Sequence, residues 1–134
     1  ILIDRNQTLA VVEGASAGAL ASMLHALPER ESFFRGALVP GSGPVHAGHD
    51  TASIDENGAV TLAHLARESL SADVGISVTP VDMTGGIVYI GMVSNSGTHV
   101  AKGRFPRHNP EWLMQRSATT AIVQLMDALS SDRI

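Results

Sequence analysis

The stretch from Glu13 to Gly18 combines a carboxylate with a turn of small residues, and it is the part of the sequence best suited to chemistry. Ser16 lies in this turn. Its hydroxyl could cap a helix, bind a phosphate together with backbone N–H groups, or act as a nucleophile. Capping is favoured, because Ser is a preferred N-cap residue. Glu13 could contact a ligand or anchor nearby backbone N–H groups, and anchoring is favoured. Glu13, Ser16 and Gly18 are therefore candidate ligand contacts.

A second group of candidates lies in the long loop that runs from Pro40 to about residue 58. Loops of this length often carry function. Ser42 and His46 offer a hydroxyl and an imidazole, the groups needed for a nucleophile and its general base. His46, His49 and Asp50 could in principle hold a metal ion. Their spacing is not that of a recognised site, so we predict neither a metal nor a cofactor.

Three further candidates for ligand binding lie at the ends of predicted strands. Thr79 ends one strand, and Gly85 and Gly86 precede the next. A glycine pair can admit a phosphate close to the backbone, although such a pair alone is weak evidence. Thr79 also has a structural explanation, since β-branched residues fit strands.

These residues depend on an alternation of strands and helices. Leu20, Met23, Leu24 and Leu27 form a helical stripe directly after the apolar strand 9–12, and Pro28 closes that helix. Further apolar patterns predict strands over 33–39, 73–79, 86–93 and 98–105, and helices over 60–70 and from Asn109 onward. We expect an α/β fold with a mixed sheet of about five strands. Ligands in such folds sit at the carboxyl ends of strands that face helix N-termini.

Length and composition limit the classes of function. The 134 residues predict one domain, 1–134, and the net charge of −4 without a basic cluster argues against nucleic-acid binding. No apolar run approaches about 18 residues, so no membrane partner is expected. Cysteine is absent, which is compatible with the cytoplasm, the location we expect. Since the chain begins with Ile1 rather than Met, we expect it to be either a trimmed chain or one part of a longer protein.

The order and spacing of several segments resemble the C-terminal domain of the CinA (competence/damage-inducible protein) family. These segments are Leu9-Ala-Val-Val-Glu13 with its small-residue turn, Phe34-Arg-Gly36, Gly58-Ala-Val-Thr61, Ser77-Val-Thr79, Gly86-Ile-Val-Tyr-Ile90 and a final helix after Arg104-Phe105. The resemblance implies a three-layer α/β/α sandwich. It also implies an activity, hydrolysis of the carboxamide of nicotinamide mononucleotide with release of ammonia, and hence a small nucleotide ligand.

The resemblance also implies catalytic residues that this chain lacks. Family chemistry relies on a Ser directly after the strand-ending Glu, supported by a Tyr and a Lys in the loop after the second strand. Here the nucleophile position holds Gly14, the Tyr position falls on Gly41, and the Lys position falls near His46. We therefore expect no catalytic residue in the family positions and interpret the chain as a pseudoenzyme.

Three hypotheses remain at this stage. The first is a catalytically silent module that keeps a small-molecule pocket or an oligomer interface. The second is an active amidohydrolase that converts nicotinamide mononucleotide to nicotinate mononucleotide with relocated groups, Ser16 or Ser42 with His46 as the base. The third is a structural domain that associates with itself or with the rest of a longer chain. Trp112 would then lie at the interface, although core packing explains Trp112 more simply.

Overall fold

The computed structural model describes residues 2–40, 54–82, 85–105 and 109–134. Within these residues, strands and helices follow one another much in the order that the apolar patterns predict. In chain order they are β1 (Leu9–Glu13), α1 (Ala19–His25), α2 (Arg30–Phe33), β2 (Phe34–Leu38), α3 (Glu56–Ser69), β3 (Val74–Val78), β4 (Ile87–Val93), β5 (Thr98–Arg104) and α4 (Pro110–Ser130).

The five strands of this described part form one mixed sheet in the order β2-β1-β3-β4-β5. β1 runs parallel to both β2 and β3, whereas β4 is antiparallel to β3 and to β5. The central strands β1 and β3 are buried along their whole length. Because β1 and β3 are parallel neighbours, their carboxyl ends lie side by side. The sequence places its candidate ligand contacts at this end of the sheet.

Helices cover both faces of the sheet, which confirms the three-layer arrangement. On one face, Leu20 and Leu24 of α1 and Leu125 of α4 join a core with strand residues such as Val11 and Ile76. On the other face, residues of α3 pack against the alternate side chains of β1; this second cluster contains Ala10, Val12, Leu62, Leu65, Ala66 and Ala72. The alternation along β1 follows from the two-residue period of a strand.

Helix α3 approaches the sheet so closely that glycine is required beneath it. A β-carbon at Gly75 would collide with the carbonyl oxygen of Ala63, and one at Gly91 would collide with that of Ala59. Ser77, between them on the sheet, donates a hydrogen bond of 2.6 Å to the Ala59 carbonyl. Helix backbone thus rests directly on strand backbone, and this contact fixes α3 over β3 and β4.

The predicted start of the last helix is confirmed in detail. The side chain of Asn109 accepts a hydrogen bond of 2.8 Å from the backbone N–H of Trp112, and Pro110 occupies the first turn. Asp55 caps α3 in the same way, through Gly58. The helix therefore begins at Glu56, earlier than its apolar pattern from Val60 suggests.

Two further boundaries differ from the sequence prediction. The strand expected from residue 33 is preceded by the four-residue helix α2, which is too short to show a periodic pattern. Helix α1 ends at His25 rather than at Pro28. Among the described residues, no helix combines the length and apolarity needed to cross a bilayer.

Candidate functional site

The turn that links β1 to α1 forms the centre of the candidate site. Its backbone is held against the end of β3, because Gly14 N–H donates to the Val78 carbonyl (2.7 Å) and Ala15 N–H donates to the Thr79 carbonyl (3.2 Å). At the other end of the turn, Ala17 and Gly18 both adopt positive φ angles, +48° and +96°. Glycine adopts such a conformation without a steric penalty, whereas alanine does so less readily.

Glu13 is completely buried, and its carboxylate caps helix α1 from the preceding strand. One oxygen accepts hydrogen bonds from the N–H groups of Gly18 (3.2 Å) and Leu20 (2.9 Å), and the other accepts one from Ala21 (2.9 Å). A negative charge at this end of a helix is favourable, because the first N–H groups have no partner within the helix. This geometry agrees with the anchoring role that the sequence favours for Glu13.

The capping role that the sequence favours for Ser16 is wrong. Gly18 occupies the N-cap position of α1, and as a glycine it forms no side-chain hydrogen bond that would cap the helix. The Ser16 hydroxyl is completely buried and forms no hydrogen bond with any residue that the structure describes. The physical reason is competition for the amides two and three residues after Ser16, which an N-cap hydroxyl would satisfy. Gly18 N–H donates to the Glu13 carboxylate, and Ala19 N–H donates to the Ser16 carbonyl.

The remaining roles of Ser16 have few supporting groups nearby. Most amide N–H groups of the turn and of the first helical turn donate to other groups of the protein; they belong to Gly14, Ala15, Ala17, Gly18, Ala19, Leu20 and Ala21. A phosphate would therefore compete with existing hydrogen bonds, including those to Glu13. A nucleophile also needs a base within hydrogen-bond reach, and the Ser16 hydroxyl has no such partner among the described residues. Ligand contacts at Ser16 and Gly18 stay predictions.

Thr79 lies beside this turn, where the structure brings together the ends of β1 and β3. It is completely buried. Its hydroxyl oxygen accepts a hydrogen bond of 3.0 Å from Tyr89 N–H, and its own N–H donates to the Tyr89 carbonyl at 3.0 Å. Both contacts extend the pairing of β3 with β4 by one residue. Thr79 thus has a structural role here, and its contact with a ligand stays a prediction.

Gly85 and Gly86 form the turn that leads into β4. Gly86 N–H donates to the Asp82 carbonyl (2.7 Å), and the Gly86 carbonyl accepts from Phe105 N–H (2.8 Å). Because the N–H and the carbonyl of Gly86 are both hydrogen-bonded within the protein, the backbone of Gly86 offers no free donor to a phosphate. A ligand contact at this pair stays a prediction.

The other predicted site residues, Ser42 and His46, lie outside the described residues, as do Gly41 and the His49-Asp50 pair. Within the described ranges, no cluster of three or more His, Asp or Glu side chains is arranged to hold a metal ion.

A close contact between Gly14 and the segment after β3 is the feature that sequence reasoning missed. A β-carbon at position 14 would lie 2.5 Å from the Pro80 nitrogen, 2.8 Å from the Thr79 carbonyl carbon and 2.9 Å from the Pro80 ring carbon Cδ. Contacts below 3.0 Å require one of the partners to move, and two of these three partners are backbone atoms. The presence of Pro80 in the sequence indicates only that β3 must stop there.

An apolar groove lies away from this site. It encloses about 500 Å³ between the N-terminal turn, α1 and α4, and it is lined by Leu2, Ile3, Leu9, Met23, Leu24, Leu27, Phe33, Ile122, Leu125, Met126 and Leu129. Leu9 begins β1, whereas Glu13 ends it, so the groove adjoins the opposite end of that strand. Small-molecule sites usually include a few polar groups that orient the ligand. Every lining side chain here is apolar, so the groove does not suit a nucleotide.

We expect Ser16→Ala to leave the free energy of unfolding unchanged or to raise it by up to about 1 kcal/mol, because it removes a buried hydroxyl that has no partner. Urea denaturation measures the change. Asn109→Ala is the matched control: it removes a side chain that does cap a helix, and it should lose about 1 kcal/mol. A loss for Ser16→Ala equal to that of the control would contradict the assignment.

Glu13→Gln should lower the free energy of unfolding by about 2 kcal/mol, because a neutral amide replaces a charged acceptor of three N–H groups. The control is Glu111→Gln, an exposed carboxylate in the first turn of α4. That change should stay within about 0.5 kcal/mol. Equal effects at the two positions, measured by the same urea titration, would show that the buried capping contact is unimportant.

Comparison with known proteins agrees with this architecture. Residues 1–129 match the family model described as the CinA C-terminal domain. A CinA-like protein of Frankia casuarinae is 32% identical over 95% of this chain, and one of Synechocystis is 28% identical over 98%. The alignments cover 32% and 36% of those two relatives, so the chain spans about a third of their length.

The fold has counterparts among solved structures. The crystal structure of a CinA superfamily protein from Escherichia coli superposes with a TM-score of 0.81 at 22% identity, over 93% of this chain and 82% of that one. At that identity the match concerns the fold alone. Together with the family model, which extends over nearly the whole sequence, these findings show that the chain belongs to the CinA C-terminal domain family.

Proposed function

We propose that this chain is a catalytically silent CinA C-terminal domain that acts as a binding or oligomerisation module. The observation that carries the proposal is the residue after the strand-ending Glu13. In the family pattern this position supplies the attacking hydroxyl, and here Gly14 supplies none. Covalent catalysis of amide hydrolysis requires a nucleophile and a base in hydrogen-bond contact.

The surroundings of Gly14 support the same interpretation. Ser16 is the nearest hydroxyl along the turn, and it is completely buried, without a hydrogen-bond partner in the described part of the chain. Loss of members of a catalytic triad typically lowers turnover by about 10⁴-fold or more. Relocated catalysis would therefore need a base from outside the described residues, and His46 is the candidate, with Ser42 or Ser16 as the nucleophile.

We expect the purified protein to release ammonia from nicotinamide mononucleotide only at the rate of the buffer. A coupled assay for ammonia checks this, with a family member that carries a serine after the strand-ending glutamate as the positive control. Release above background that is lost in Ser42→Ala or His46→Ala would favour the relocated amidohydrolase. Release lost in Ser16→Ala would favour the turn serine. Either result would overturn catalytic silence.

Association is the role that the exposed apolar groove supports. Three of its lining residues are large and unusually exposed: Ile3 at 42%, Leu27 at 43% and Met126 at 57%. Contiguous exposed apolar surface commonly marks a protein interface. Trp112 is a weaker candidate for the interface, because it is half-buried and packs edge-to-face against Phe105 with ring centres 6.0 Å apart.

The proposal therefore places a second copy of this chain against the groove. We expect sedimentation velocity to show a dimer of the unmodified protein, and Met126→Glu to shift it toward monomer by placing a charge on the apolar rim. Gln115→Glu adds the same charge about three turns away on α4, at an exposed residue outside the groove lining. It should leave the dimer intact. A monomer at high concentration without any substitution would contradict the association role.

A further inference from the structure

Position 14 lacks a hydroxyl, and neighbouring atoms also occupy the space that a side chain there would need. Gly14 and Ala15 continue the pairing of β1 with β3 beyond the end of both strands, through bonds to the carbonyls of Val78 and Thr79. These bonds draw the turn against the Thr79–Pro80 peptide. The space that a side chain at position 14 would enter is therefore occupied by backbone and by the proline ring.

We infer that Pro80 is a second residue, besides Gly14, that determines the catalytic silence of this domain. This inference rests on the proposed function and deepens it. Proline holds its own φ near −65° and carries the Cδ atom that lies 2.9 Å from the β-carbon site at position 14. The Thr79 carbonyl is in turn fixed by the Ala15 amide. The segment cannot move aside freely, so the side chain of a serine at position 14 would collide with it while Pro80 is present.

The consequence is that restoring the family nucleophile takes more than one substitution. Gly14→Ser in the otherwise unchanged chain introduces a hydroxyl and a steric conflict together. Glycine at position 80 removes the ring and frees the φ angle, which allows residues 79–82 to shift away from the turn. Positions 14 and 80 are thus energetically coupled, although they lie on different elements and far apart in the sequence.

A double-mutant cycle on stability tests this coupling. Gly14→Ala should raise the equilibrium constant for unfolding by about 100-fold in the presence of Pro80, in the range expected for overpacking. In the Pro80→Gly background, the same substitution should also raise that constant, but by a factor at least about five times smaller. The loss caused by Pro80→Gly itself, which acts partly through the unfolded chain, cancels in the cycle.

Gly97→Ala provides the matched control. A β-carbon at Gly97 would lie 2.6 Å from the Arg133 carbonyl oxygen, so it meets backbone in the same way. Gly97 lies in the turn between β4 and β5, next to the start of β3 and therefore at the end of the sheet opposite Pro80. Gly97→Ala and Pro80→Gly should therefore be additive.

The possible outcomes separate this inference from the proposed function. Additive effects of Gly14→Ala and Pro80→Gly, or wild-type stability of Gly14→Ala, would overturn it. If Gly14→Ala alone does not fold, recovery of a folded protein in the double variant supports it, and failure to recover overturns it. Gly14→Ser should also release ammonia from nicotinamide mononucleotide only at the background rate, and release above background would overturn the closed position. Release by the unmutated protein overturns the proposed function and leaves the stability cycle unaffected.

Discussion

The buried carboxylate of Glu13 is the contact on which the arrangement at this end of the sheet depends. It belongs to the last residue of β1, and it accepts three backbone hydrogen bonds at the start of α1. A helix of seven residues is marginal by itself. Its position is set by this contact and by the burial of Leu20 and Leu24 between the sheet and α4. One side chain thus determines where the strand ends, how the turn runs and where the helix begins.

The same contact limits the chemistry available to the turn. The start of a helix after a strand is a common place for an anion, because its N–H groups are free to donate. Here the protein supplies its own anion from within the core. A phosphate-bearing ligand would have to take most of its hydrogen bonds from other groups, and Ser42 and His46, which lie between β2 and α3 in the sequence, are the remaining polar candidates.

Much of the fold could be predicted because its signals are local. The apolar runs of the strands, the stripe of α4 and the Asn109-Pro110 start each depend on neighbouring residues, and the structure confirms them. The role of Ser16 could not be predicted in this way. Its preference for helix caps is a local tendency, and the amides that its hydroxyl would cap have other acceptors: the Glu13 side chain for Gly18 and the Ser16 carbonyl for Ala19.

The contact between Gly14 and Pro80 shows the same limit for the candidate site. Each residue has an adequate local explanation, one as a turn residue and the other as a strand terminator. Their proximity follows only from the parallel pairing of β1 with β3, which joins distant parts of the chain. Predicting it would have required the register of those strands.

The direct seating of α3 on Gly75 and Gly91 has a consequence for how the chain assembles. The hydrogen bond from Ser77 to Ala59 spans 18 residues, whereas the pairing of β1 with β3 brings together Thr8 and Asp73, which are 65 residues apart. Closing a shorter loop loses less chain entropy. Helix α3, β3 and β4 are therefore the part of the molecule that we expect to fold first. β1 and the turn that follows it would then pair with β3 after this part has formed.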